Sequence, residues 1–418
     1  EIRDHGFVDL PQALEMLVPG AHVATQFGPF SYTNLALQGS RNGDVLWTVD
    51  GVRVNNRLYN TTSPADTLPA GMVERIEVMK GGHGLLYGTQ AAAGVINVVT
   101  RAFSDTPDGA VTLGGDSRDG LHLGAHGRGA LGRHRFVAWV SKDESDGYRP
   151  YDDLQPGATT RDRAYDVQSL GLKYGFEFTP SLRLTLQGVH TEADLDYPTV
   201  FTTDQNRRDE ENFSGRLDFS PSARLDLFLK AYLHDWDSDY VEDVENPVPF
   251  YWGFRDVGIS GAARIAAGRA LDLHAGYEFQ QYEGRDDYLL IEDRSEKVHA
   301  VYAQLRTTDG FSSNTRLTAG LRYSDTGGTS ATVWSASAVR ELGRGLFIEG
   351  SLGTSFLLPD AYQLYAIDPF DTRGNADLEP EESFNINLAF GGRFTLAGDR
   401  PWSWQVTGWR RKVDNLII

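Results

Sequence analysis

Hard oxygen ligands crowd one stretch of the chain, where Asp237, Asp239, Glu242, Asp243 and Glu245 follow one another closely. Carboxylates at this density can hold calcium in an outward loop. They lack EF-hand spacing, so a solvated acidic loop is the competing reading. The ten histidines are scattered, which argues against a dedicated zinc or copper site. His83 stands beside Gly81 and Gly82. The absence of cysteine removes thiol chemistry, disulfides, thiolate zinc sites and iron–sulfur clusters. No serine, histidine and acid fall at a spacing that would assemble a nucleophile with its base. The chain is therefore not expected to be an enzyme.

The composition narrows the elements that can carry these residues. Lys and Arg number 39 against 58 Asp and Glu, a formal net charge of −19, so a nucleic-acid partner is not expected. The 418 residues include 45 glycines, well above the usual ~7%. With 18 Tyr, 21 Phe and 8 Trp beside 3 Met, this favours strands and turns over helices. No run approaches ~18 consecutive apolar residues, so a spanning helix is excluded. The opening Glu1-Ile2-Arg3-Asp4 is not a signal peptide. A soluble β protein or a membrane barrel remains.

Residues 1–103 read as a small α+β domain. Asp9 precedes Leu10-Pro11-Gln12, with Leu10, Leu14 and Leu17 on one face and Pro19-Gly20 as a stop, which predicts a short amphipathic helix. Val45–Val49 and Val52–Val54 flank Asp50-Gly51, a hairpin signal. Val73–Met79 alternates apolar and charged residues and runs into Lys80-Gly81-Gly82. Leu85–Ala93 is expected to form one or two helical turns, and Val95–Thr100 a closing strand.

Residues 104–418 alternate with period two. Leu182, Leu184 and Leu186 oppose Arg183, Thr185 and Gln187, and the pattern recurs along Leu225–Leu233, Leu271–Phe279 and Leu317–Tyr323. There are about 15 such runs of about ten residues, the length at which a tilted strand crosses a bilayer. Tight turns near Gly132, Pro180, Pro221, Gly268, Gly310, Gly343 and Gly398 separate long polar connections: 143–166, 193–211, 235–255, 283–297 and 355–381. Short connections at one end and long ones at the other are the asymmetry of an outer-membrane barrel. A propeller or solenoid would repeat at a fixed period, and no repeat is present.

Asp50-Gly51-Val52-Arg53-Val54-Asn55, Val73 to Gly81, Leu86-Tyr87-Gly88 and Gly94 to Arg101 resemble, in order and spacing, the plug domain of TonB-dependent outer-membrane receptors. Ser355 to Pro359 and Gly374 to Glu381 are similar to that family's paired barrel segments around a large outer loop. The resemblance implies a transmembrane antiparallel β-barrel of about 22 strands with an N-terminal plug in its lumen. About 15 strands would then be present, and the chain is expected to be a fragment that lacks the TonB box and the last barrel strands. The implied activity is TonB-dependent uptake of a scarce ligand across the bacterial outer membrane. The ligand would be an iron chelate such as a ferric siderophore, with cobalamin as the alternative. The implied partners are TonB with its inner-membrane motor proteins, and outer-membrane lipid with lipopolysaccharide. No covalent cofactor is implied, and a loop Ca2+ is the one metal entertained. A passive porin or an outer-membrane barrel enzyme is the competing class.

Two departures from the family stand out. Arginines that meet barrel glutamates are replaced here by Gln38 and Lys80, facing the segment of Glu379, Glu381 and Glu382. The plug-to-wall lock is expected to be weaker or rebuilt elsewhere, because lysine lacks the planar fork and glutamine the charge. The segment between Pro359 and Gly374 has no histidine where haem-type relatives carry one, which disfavours haem. Apical plug loops in the family match 26–32 and 56–62, so Phe30, Tyr32, Arg57 and Tyr59 are the expected ligand contacts. Tyr251, Trp252, Tyr362 and Tyr365 are their expected barrel partners. An interfacial aromatic girdle is the alternative for the barrel residues.

Overall fold

The computed structural model of the protein describes residues 5–152, 161–199, 202–244, 247–367, 373–396 and 400–417. Helix α1 (Leu10–Leu17) starts where Asp9 caps it, its Oδ1 accepting the Gln12 N–H at 3.1 Å. Strands β1 (Ala21–Thr25) and β2 (Thr33–Leu37) form a separate hairpin. Strands β3 (Val45–Val49) and β4 (Val52–Arg53) turn at Asp50 and Gly51, whose φ values of 49° and 73° are the left-handed pair that the dipeptide supplies. Strands β5 (Val73–Lys80) and β6 (Gly94–Thr100) complete a four-stranded sheet of order β4-β3-β6-β5, in which β3 and β6 run parallel. Between them helix α2 is a single turn, Gly84–Tyr87. The helical turns expected over Leu85–Ala93 stop at Gly88, which takes φ 74° and where a Cβ would meet the Arg322 guanidinium at 2.9 Å.

The remaining strands are β7 (Asp108–Gly115), β8 (Leu121–Leu131), β9 (His134–Ser145), β10 (Tyr165–Thr179), β11 (Leu182–Pro198), β12 (Thr203–Ser222) and β13 (Leu225–Val241). They continue as β14 (Phe250–Ala267), β15 (Leu271–Asp286), β16 (Ile291–Thr307), β17 (Thr315–Asp325), β18 (Ser330–Gly343) and β19 (Leu346–Leu357). After helix α3 (Ala361–Tyr365) come β20 (Glu381–Leu396) and β21 (Arg400–Asp414). Each pairs antiparallel with the next, giving one sheet of 15 strands that wraps the N-terminal domain. Leu170, Leu186, Phe213, Leu229, Ile259, Val301 and Leu388 lie exposed on its outer face as an apolar belt. The inner face packs on the plug: Val137, Trp139 and Val189 of the wall join Leu10, Trp47 and Ile96 in one core. Among the described residues no helix is long and apolar enough to cross a membrane.

Three of the expected long loops are largely strand. Strands β11, β12, β13 and β14 run to 17, 20, 17 and 18 residues, leaving only residues 199–202 and 242–249 as connections. Only 287–290 separates β15 from β16. The hairpins overshoot the ~10 residues a bilayer needs. Above the belt the outward positions become charged and pair across strands, as in Arg207 with Asp194 at 3.2 Å and Arg255 with Asp235. The ladder continues although the apolar alternation ends.

Candidate functional site

The apex of the plug is the loop after β4, pinned by its own backbone and by Arg57. The Arg57 N–H donates to the Tyr282 hydroxyl at 2.9 Å, and its guanidinium donates to Glu296 at 2.9 Å and to the Leu358 and Pro359 carbonyls. Arg57 is buried, and both its terminal nitrogens are bonded. It is thus a tie between plug and wall, which corrects its expected role as a ligand contact. Asp360 completes the joint: one carboxylate oxygen caps α3 through the Gln363 N–H at 2.8 Å and the other accepts the Asn60 N–H at 2.6 Å. Burial raises the Asp360 carboxyl above the usual range, against the pull of these backbone donors.

This joint brings aromatic rings together. The Leu58 carbonyl accepts the Tyr362 N–H at 2.8 Å, and the Tyr59 and Tyr362 rings meet edge to face at 5.0 Å. Tyr365 lies on the same helix with the Arg294 guanidinium 4.3 Å from its ring centroid. Tyr59 and Tyr365 are exposed. Tyr32 is half-buried nearby, its hydroxyl donating to the Thr61 carbonyl at 3.1 Å, and burial raises its phenol above the usual range. Trp252 packs beside Tyr362 on a cluster of Leu58, Trp236, Phe254 and Tyr282. The outcome is an apical aromatic surface with one cation, made from Tyr32, Tyr59, Trp252, Tyr362, Tyr365 and Arg294.

Two expected ligand residues lie elsewhere. Phe30 is 0% exposed and packs against Tyr165, Val167 and Leu195 of the wall, while Asp9 accepts its N–H at 2.8 Å. It joins plug to barrel below the apex. Tyr251 is on the opposite face from Trp252, as strand alternation requires. Its hydroxyl donates to Asp237, and Arg285 lies 4.6 Å above its ring. Tyr251 borders an outward hollow of about 380 Å³, together with Glu192, Asp209, Asp237 and Asp239.

The plug-to-wall lock is rebuilt on a residue that sequence reasoning missed. The Arg41 guanidinium forks onto both carboxylate oxygens of Glu381, one at 3.0 Å, and onto Asp44 at 2.9 Å. Arg411 of β21 reaches the same Asp44 at 3.2 Å. Glu381 thus meets an arginine from position 41 of the plug, in place of the Gln38 and Lys80 expected to face it. Gln38 donates to Asn387 at 3.1 Å, and its carbonyl accepts the Trp409 indole N–H at 2.9 Å. Lys80 turns to the Pro19 carbonyl, away from any wall carboxylate. Glu382 is exposed on β20, one position from buried Glu381, and Glu379 borders a hollow of about 540 Å³ beside α3.

The acidic stretch does not gather on one point. Asp237 and Asp239 face outward from β13, Glu242 and Asp243 are exposed beyond it, and Glu245 lies outside the described residues. Among the described residues, the group of ligand atoms that does converge is His190, Glu192 and Asp209, all within 4.8 Å of one another on the outer face of β11 and β12. Asp209 of β12 joins His190 and Glu192 of β11 across the ladder, so no local spacing marks the whole group. His83 contacts the Lys80 carbonyl at 3.3 Å.

Residues 1–95 match the family described as TonB-dependent Receptor Plug Domain, and residues 100–418 the one described as TonB dependent receptor-like, beta-barrel. The chain is 25% identical over 421 residues to the vitamin B12 transporter BtuB of Vibrio vulnificus, covering 96% of this chain and 64% of that protein. It is 24% identical to the BtuB of Photobacterium profundum, over 96% of this chain and 63% of the relative. It therefore spans under two thirds of the length of these curated relatives. The siderophore receptor PirA of Pseudomonas aeruginosa has the same fold at TM-score 0.77 and 20% identity, over 99% of this chain and 73% of that one.

Proposed function

This chain belongs to the TonB-dependent receptors, a receptor family and not an enzyme family, and from that premise we propose that it takes up a scarce ligand across the Gram-negative outer membrane, driven by TonB and its inner-membrane motor. The ligand class is a ferric siderophore. The observation that carries this reading is the apical surface of Tyr59, Tyr362 and Tyr365 with Arg294 against a ring. Aromatic faces beside an exposed cation suit a bulky, anionic, partly apolar chelate. The apolar belt sits in lipid, with lipopolysaccharide around the charged hairpins above it. Plug and wall share a core and are tied by Arg41 with Glu381 and Arg57 with Glu296, which disfavours a passive porin.

Cobalamin is the second reading, favoured by the curated relatives named as vitamin B12 transporters. Cells carrying the full-length protein, given radioiron bound to ferric enterobactin or radiocobalt in cyanocobalamin, separate the two. Energy-dependent uptake of iron, lost in Tyr59→Ala, is expected. Uptake of cobalamin alone would reassign the ligand, and high steady conductance in planar bilayers would favour the porin.

A further inference from the structure

Below the aromatic surface, a second polar joint holds the plug turn Pro64–Thr67 to β12 and β13. Asp66 and Arg208 pair at 2.8 and 3.4 Å with side chains only 4% and 1% exposed. Tyr197 donates its hydroxyl to the same carboxylate at 3.3 Å. One residue on, the Thr67 hydroxyl donates to Glu210 at 3.0 Å, and Glu210 also meets the Nε2 of buried His234 at 2.9 Å. The wall supplies the cation here and the plug the anion, the reverse of Arg41 with Glu381.

The guanidinium has a second set of contacts. It lies 4.0 Å from the Trp236 ring centroid and 5.6 Å from that of Trp252, and the two indoles sit 5.3 Å apart. Trp236 is fully buried and Trp252 half-buried at the aromatic surface. An uninterrupted stack thus leads from a vestibule ring, through Arg208, to a buried carboxylate of the plug. A buried pair is sensitive to its geometry, because displacing one member strands the other charge away from water. A shift of the Trp252 ring moves the face on which the guanidinium rests.

We infer that Arg208 is a positioning residue, which passes contact at Trp252 to the plug by tightening or freeing Asp66. This rests on the uptake reading above. The chain has no cysteine, so Ala65→Cys, at a buried position inside the held turn, gives residues 1–418 a single thiol; in the full-length protein, with any cysteine outside these residues replaced by serine, its maleimide labelling reports release. Asp66→Asn and Arg208→Met should each speed that labelling about tenfold, with Arg208→Lys in between. A second reporter, Ala93→Cys beside the Arg41 lock, should change less than about twofold in the same backgrounds. Equal rates at Ala65→Cys with and without Asp66, or equal acceleration at both reporters, would overturn the inference.

Uptake adds a readout that plain stabilisation would not move. With ferric enterobactin and cyanocobalamin as probes, Asp66→Asn should shift binding affinity by more than about twofold as well as changing maximal uptake rate, because coupling between Trp252 and Asp66 is reciprocal. Affinity unchanged within about twofold counts against coupling. If the unmodified receptor imports neither probe, the proposed ligand classes fall, while the labelling comparison still decides the latch.

Discussion

Replacing Arg41 by methionine isolates the rebuilt lock. The change keeps a flexible unbranched apolar stem and removes the fork that holds Glu381 and Asp44. Glu381, whose side chain is 3% exposed, keeps only the Ile417 N–H at 2.8 Å, while Asp44 keeps Arg411. Breaking a fully buried pair costs about 3–5 kcal/mol, and an exposed one about 0.2–1 kcal/mol. The Arg41 side chain is 40% exposed, so the pair it makes is already partly screened by water and the cost falls to about 1–3 kcal/mol. That is roughly a 5- to 150-fold shift toward plug release. Urea titration of the full-length protein in planar bilayers, read as the onset of steady conductance, measures it. Glu381→Gln should move the midpoint in the same direction. Gln38→Arg should change it by less than about 0.5 kcal/mol, because the Glu381 carboxylate already has its fork. If Arg41→Met left the midpoint in place while Gln38→Arg raised it clearly, the assignment of the lock to Arg41 would be wrong.

Burial pushes the Asp9 carboxyl up to about 7, against the Phe30 and Gln12 N–H donors. The folded value lies above the unfolded one, so protonation favours the fold. That stability is complete below about pH 4 and lost as pH rises through 7, and Asp9→Asn should flatten a melting curve series across this window. In Gly171→Ala the new methyl would meet the buried Trp139 ring at 1.9 Å, lowering stability by about 1–3 kcal/mol; recovery in combination with Trp139→Leu checks the cause. Phe30→Ala should cost about 3–5 kcal/mol in urea unfolding. Tyr59→Ala should leave the urea midpoint nearly unchanged yet weaken ligand binding about 5- to 50-fold by titration.

Much of the fold was legible because one physical contrast repeats along the chain. Leu182, Leu184 and Leu186 face outward and Arg183, Thr185 and Gln187 inward, and period two marks a strand wherever the two faces meet different surroundings. The signal fails in 193–211 and 235–255, where the outward face turns charged and the inward face meets polar plug groups. Polar residues such as Arg208, Glu210 and Ser238 then interrupt the apolar inward face as well, and the strands look like loops. The hairpin at Asp50-Gly51 and the cap at Asp9 were readable because each is made by neighbours in sequence. The site was harder to read. Arg41 reaches Glu381 across 340 residues, and no local spacing foretells that pairing. Phe30 lies in an apical loop by sequence, yet the wall strands that cover it decide its burial. Tyr251 and Trp252 adjoin in sequence and part onto opposite faces, a split that became readable only once the strand was known to start before them.

The overshooting hairpins set a rule for how the mouth of this molecule can change size. In a ladder, adding residues in pairs, one to each strand, raises the rim without turning any side chain round, whereas a single inserted residue exchanges inside for outside along everything beyond it. Variants of the mouth should therefore differ in height by even steps in each strand or carry a bulge that absorbs the odd residue, and a ligand of new dimensions would be met by a taller or shorter palisade of the same grain.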